Sequence, residues 1–386
     1  MRSSFIRVCC RELRRLTERR IYGAAVLGLP LFCLLFMATV FGGGGMDGLP
    51  VGIVDADQTA ASRRIVRSVE ASPALKVTRR YTDEIAAKEA VSRKRIYGYL
   101  YIPPGFERRM TNGNSPVLTY YYHNALLSVG GEVHAAFERL LKQVSAVSIA
   151  SRAVAAGIAE ERVRTFLLPV EAQNHAIYNP TRNYTVYLAQ PFFFVMLQVL
   201  VLLVTVYALG SETKSGTAAE WLRSAGGDIG VAVLGKLLPY GAAFACVGVF
   251  ANFIFFGVMR LPLPCGWTDI NLLTVLFIPA TQAVAVTLFA LFPTLEVSIS
   301  LASMIGSLGA TLSGVTFPVE AMYAPVRWAA LFFPARHFTE AVQGLLYGGG
   351  SWTGQWENVC ILSAFLLPPL VLLPRLKAKV VKPLKN

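Results

Sequence analysis

Apolar residues along this chain are gathered unevenly. One apolar segment, 21–41, lies near the start, and about 140 mostly polar residues follow it. Five more segments crowd the remaining half, near 186–209, 230–258, 270–291, 297–318 and 357–374. The 21 residues of the first segment, at 1.5 Å rise each, give about 31 Å of helix, enough to cross the hydrocarbon core of a bilayer. The pattern predicts an α-helical integral membrane protein of six transmembrane helices, with one large insertion, 42–183, between the first and the second. The first apolar run is longer than a signal peptide's and is followed by Gly42 to Gly45 without an Ala-x-Ala site, so it reads as an uncleaved anchor.

The insertion switches between two periods. Leu49–Val54, Leu75–Tyr81, Ile96–Ile102 and Val117–Tyr122 read as strands. Between them, Asp57 is a candidate helix N-cap before Ala61, Ile65 and Val69, and Thr82 a cap for a helix through Val91. Pro103-Pro104 stops the third strand, a short helix surrounds Phe106, and Asn112-Gly113-Asn114 marks a turn. Val133, Phe137, Leu140, Val144 and Val147 mark one face of a long helix, and Pro169 ends a second helical stretch. The expectation is a small α/β domain carried on a helical stalk.

Charge sets the orientation. Only 15% of the residues are charged, against roughly a quarter in soluble chains. Seven arginines precede the first span, and Arg375, Lys377, Lys379, Lys382 and Lys385 follow the last. By the positive-inside rule both termini are expected in the cytoplasm and the insertion outside. The net charge of +13 is explained by these tails meeting anionic lipid, with no need of a nucleic acid. Residues 1–20 read as a cytoplasmic amphipathic interfacial helix, with Phe5, Cys9, Leu13 and Leu16 on one face and Arg7, Arg11 and Arg14 on the other. Residues 377–386 form a basic tail.

Catalytic chemistry finds little support. Gly210 to Thr217 lacks the Lys of a phosphate-binding P-loop. The four histidines are scattered, and the six cysteines give neither a disulfide framework nor a paired metal spacing. The chain therefore reads as no enzyme, holding no metal or cofactor of its own.

Three features stand out within a five-helix bundle, 184–376. In the loop 210–227, Gly216 and Thr217 open a short helix with Glu220 at the third position, a capping-box arrangement. That helix is expected along the membrane, with Trp221 and Leu222 turned into lipid and Glu212 and Glu220 exposed; a simple capped turn is the alternative. In span five, Gly306, Ala310 and Gly314 have small-xxx-small spacing near Ser313, which suits tight packing, a subunit seam or a substrate path. Finally, 317–347 holds Phe317-Pro318 and Phe333-Pro334 in short apolar stretches broken by Pro325 and Pro334, which fits a re-entrant hairpin or an interfacial aromatic belt. Lys236, Glu296 and Glu320, at span edges, are expected to snorkel.

Taken in order, these segments resemble the permease subunits of ABC-2 type exporters, in the class with a large extracytoplasmic domain after the first helix. The resemblance rests on Val51-Gly52-Ile53-Val54-Asp55 and on Tyr97-Gly98-Tyr99-Leu100-Tyr101-Ile102-Pro103-Pro104-Gly105-Phe106. It rests also on Glu212…Gly216-Thr217…Glu220-Trp221-Leu222, on Ser313-Gly314…Phe317-Pro318 and on Phe333-Pro334. One departure is Arg223-Ser224-Ala225-Gly226-Gly227, where the family often has Pro soon after the loop's Leu. The resemblance implies a permease of the bacterial inner membrane that carries the substrate pathway. A separate ABC ATP-binding subunit, holding ATP and Mg, would dock under the Gly216–Leu222 helix and drive it. It implies a second permease subunit, identical or similar, and in Gram-negative bacteria often a periplasmic membrane-fusion adaptor. A competing reading is a membrane-anchored receptor whose outside domain binds a ligand or phage.

Overall fold

The computed structural model describes residues 2–41, 47–112, 117–125, 127–155, 185–347 and 351–381. The chain forms two compact units, Gly45–Ile177 and, together, Met1–Gly44 and Tyr178–Asn386. The second opens with an amphipathic helix, α1 (Arg2–Glu18), followed by α2 (Arg20–Phe41).

The inserted unit is a four-stranded sheet of order β2-β1-β3-β4: β1 (Leu49–Asp55), β2 (Leu75–Tyr81), β3 (Gly98–Ile102) and β4 (Thr119–Tyr122). β1 runs parallel to both neighbours, and β4 is antiparallel to β3. The parallel pairings need crossovers, supplied by α3 (Ala60–Glu70) and α4 (Glu84–Ser92). Alternation sends Val51, Ile53, Leu100 and Ile102 to one face, where Ile65 and Val69 of α3, Phe106 of α5 (Phe106–Thr111) and Phe137 of α6 (Leu127–Ala155) complete a core. Val54 and Tyr99 point the other way, onto Ala87 and Ala90 of α4. Gly52 is required at the centre of β1, because a Cβ there would lie 2.7 Å from the Tyr81 ring.

Three local expectations change here. α3 is capped by Thr59, which exchanges hydrogen bonds with Ser62, and not by Asp57. Asp57 instead accepts from the backbone N–H groups of Phe106 and Glu107, at 2.9 and 3.0 Å, and so caps α5. Burial pushes its carboxyl up, but hydrogen bonds from the Thr59 hydroxyl and those two amides outweigh it and hold it below the usual carboxylate range. α4 is capped by Asp83, one residue after Thr82. The first part of α6 is a core element of the sheet domain, with Val133 and Phe137 wholly buried, and not a separate stalk. Asn114, Pro169 and the second helical stretch lie outside the described residues.

Among the described residues of the other unit, six helices are long and apolar enough to cross a bilayer: α2, α7 (Thr185–Lys214), α9 (Ile229–Val258), α10 (Trp267–Leu291), α11 (Leu295–Leu312) and α14 (Trp356–Lys379). Three shorter helices join them: α8 (Ala218–Ser224), α12 (Ala324–Ala330) and α13 (Pro334–Tyr347). α7 and α10 form the centre. Phe194 of α7, Phe277 of α10 and Phe338 of α13 meet there, with ring centroids 4.8 Å apart for Phe194–Phe338 and 4.4 Å for Phe277–Phe338. α2 keeps Leu31, Phe32, Leu35 and Phe36 exposed, as a lipid-facing helix should.

Candidate functional site

Where α1 lies against α9, Val8 rests on Gly235, and a Cβ at Gly235 would come within 3.0 Å of Val8. This close approach brings Glu12, one turn after Val8, beside Lys236 and Tyr240. Lys236 Nζ donates to Glu12 Oε1 and to Glu212 Oε1, each at 2.8 Å. The Tyr240 hydroxyl donates to Glu12 Oε2 at 3.1 Å. The side chains of Glu12, Glu212 and Lys236 are completely buried. Two arginines of α1 close the network. Arg11 Nη2 reaches Glu212 at 3.2 Å, and Arg15 Nη1 contacts both Glu12, at 3.3 Å, and Glu212.

Glu212, near the end of α7, also accepts from the Thr217 hydroxyl at the start of α8. The Trp221 ring on α8 lies 5.3 Å from Lys236 Nζ, within cation–π range. One buried carboxylate thus ties together α1, α7, α8 and α9. Burial would lower the Arg15 pKa, but its bond to Glu212 and the two nearby carboxylates raise it. An uncompensated charge in such a place would cost several kcal/mol, so each member depends on its partners.

The loop therefore differs from its expected form. Trp221 and Leu222 are buried in a cluster with Leu209, Ile229 and Phe289, and do not face lipid. Glu212 is buried, not exposed. Thr217 precedes α8 but makes no cap bond, its hydroxyl being committed to Glu212, so the capping box does not form. Gly216, with φ of +68°, takes the left-handed turn between α7 and α8. Glu220 is exposed on the outer face of α8, next to Ala219 and one turn from Arg223. Lys236 does not snorkel. On α1 the inward face is Val8, Glu12 and, in part, Arg11 and Arg15, while Leu13 is half exposed. Glu296 and Glu320 are exposed and meet Lys214 and Arg336.

α11 presents its small residues in two directions. Ser298, Ala302, Gly306 and Gly309 are buried. Gly306 faces Val199, and a Cβ at Gly309 would lie 2.6 Å from Gln198. Ala310 is partly buried against the core, and Ser313 bonds back to Ala310. Gly314 turns the chain with φ of +84°. In the hairpin, Pro325 and Pro334 sit in the first turns of α12 and α13, where the missing N–H costs nothing; they start helices and do not break them. Phe333 is buried beside Leu312 and Val319, whereas Phe317 and Pro318 are exposed. Gln198 of α7 accepts from the Ala335 N–H at 2.7 Å and fastens the hairpin to the bundle centre.

Sequence reasoning missed Glu12, Arg11, Arg15, Tyr240 and Gln198. A signal for Glu12 was present, since it and Glu18 are the only acids in a stretch dense with arginines. Among the described residues no group of three or more His, Cys, Asp or Glu is placed to hold a metal.

The family model for ABC-2 family transporter proteins matches residues 23–373. The chain belongs to that family and is a multi-pass membrane component of an ABC transporter, a class that implies an ATP-binding partner. Comparison with curated proteins finds no match.

Proposed function

We propose that this chain is the permease of an ABC exporter and that α8, anchored by the buried charge network, receives the force delivered by a separate ATPase. The observation carrying this reading is that Glu212 and Lys236 join the helix between two spans to both of those spans and to α1. The outer face of α8, with Glu220 and Arg223, is free to meet a partner, while its inner face is locked by Trp221 and Leu222. A push on α8 reaches α7 through Glu212 and α9 through Lys236 before any loose contact is compressed.

The arginines before α2 and the basic residues at the end of α14 support placing α1, α8 and both termini in the cytoplasm and residues 42–183 in the periplasm. On this reading ATP and Mg belong to the partner, and the site is an inner membrane of bacteria. Two permease subunits enclose one pathway, with α11 and the hairpin as its wall. A membrane-fusion adaptor would meet the inserted domain.

The test is capture of a co-expressed ABC ATPase. Glu220→Lys, at an exposed position, should abolish capture while the permease keeps its melting temperature. Capture that survives both Glu220→Lys and replacement of the whole 216–222 loop removes the docking role. Cleavage of residues 42–183 by protease confined to the cytoplasmic side of sealed vesicles overturns the topology.

A further inference from the structure

The inserted domain carries a groove of about 1070 Å³ between α3, α5 and α6. Its floor is apolar and continuous with the domain core, formed by Ala61, Ile65, Phe106 and Leu140. At the rim stand Arg64 of α3 and Arg139 of α6, both exposed. Arg139 uses Nε on the Ala135 carbonyl at 3.1 Å, and among the described residues its two terminal nitrogens make no hydrogen bond. Among the described residues neither guanidinium pairs with a carboxylate.

We propose that this groove binds a single-chain amphiphile with an anionic head, a fatty-acyl carboxylate or an alkyl phosphate. The acyl chain lies on the floor and the head meets Arg64 and Arg139, whose planar donors suit carboxylate and phosphate oxygens alike. The volume is at the upper end of small-molecule sites, about 300–1,000 Å³, which accommodates a long acyl chain. Charge decides between amphiphiles, because a cationic head would sit against two guanidinium groups. The inference holds whether or not α8 docks an ATPase.

The experiment uses the full chain in lipid nanodiscs and palmitic acid carrying a mid-chain diazirine. After photolysis, adducts are mapped by mass spectrometry. The expected result is adducts on peptides from 61–74 and 136–144, competed by excess palmitate or hexadecyl phosphate and not by hexadecyltrimethylammonium. Ser68→Trp, which fills the groove from an exposed position, and the Arg64→Glu/Arg139→Glu pair should each reduce those adducts at least tenfold. Arg64→Lys/Arg139→Lys should retain most of them, which shows that a lost charge and not a lost fold is read. Adducts on the spanning helices report lipid contact and should stay constant. Three results overturn the proposal: adducts confined to the spans, which would leave the groove to a protein segment; groove adducts indifferent to both blocking variants; or equal competition by the cationic amphiphile.

Discussion

Lys236→Met tests the buried network most directly. The ammonium stands 2.8 Å from each of two fully buried carboxylates, and its removal leaves Glu12 and Glu212 facing one another. Removing one partner of a buried ion pair costs about 3–5 kcal/mol. Arg15 touches both carboxylates and remains in place, so the lower end, about 3 kcal/mol, is expected. The loss falls on the docking of α1, because its charged contacts to α7 and α9 run through Glu12, Arg11 and Arg15. An energy of about 3 kcal/mol corresponds to a change on the order of a hundredfold in the population of undocked α1. Hydrogen exchange of the α1 amides in the purified permease reads this population. Exchange should accelerate by that factor in Lys236→Met while amides in α10 keep their protection. Adding Glu12→Gln removes one of the stranded charges, so the double variant should cost less than the two single changes together, by about 1–3 kcal/mol. If α1 exchange in Lys236→Met stays within about threefold of the parent, the network does not hold α1 and the reasoning fails.

Trp221→Ala should lower stability by about 3–5 kcal/mol, since the ring is wholly buried; a thermal melt of the purified protein checks it, and a change under about 1 kcal/mol would return the ring to the lipid. Gly309→Ala places a Cβ 2.6 Å from Gln198, which accepts from Ala335, so a loss of about 1–3 kcal/mol is expected, with faster exchange at the start of α13. Asp57→Ala should cost about 1–2 kcal/mol of inserted-domain stability at neutral pH, read as local exchange around α5. Because the folded-state pKa of Asp57 is depressed, the stability its charge contributes is complete above the ordinary carboxylate value of about 3.9 and disappears as pH falls through the folded value. The gap between parent and variant should therefore narrow in acid; a gap that widens there contradicts the assignment.

The spans and strands were legible because each is a sustained periodic pattern that burial reads as it stands. Caps in the inserted domain were legible to within a residue or two, but the capping box expected at Thr217 did not form, and Asp57 took another role. It precedes an apolar run as a cap should, but Thr59 lies closer to that run, and Asp57 turns to amides about 50 residues along the chain. The network was illegible for the same reason on a larger scale. Lys236 is near a span end, where a lone lysine normally reaches for water. Contacts with Glu12, 224 residues earlier, and with Glu212, 24 residues earlier, keep it inside. Trp221 was misplaced because an aromatic at a membrane boundary has the same local signature whether it meets lipid or, as here, closes over a buried ammonium.

Both margins of the inserted sheet discourage further strands from joining. β2 carries Lys76, Arg79 and Arg80 on exposed positions, and its register slips beside Val51, where Thr78 is left out of the ladder and bonds the Val51 carbonyl at 3.3 Å. β4 is only four residues long. Cationic side chains, an irregular ladder and brevity are each barriers to edge-to-edge association. Recognition of this domain by an added strand is therefore disfavoured, and the same margins oppose edge-to-edge aggregation of copies crowded together at a membrane surface.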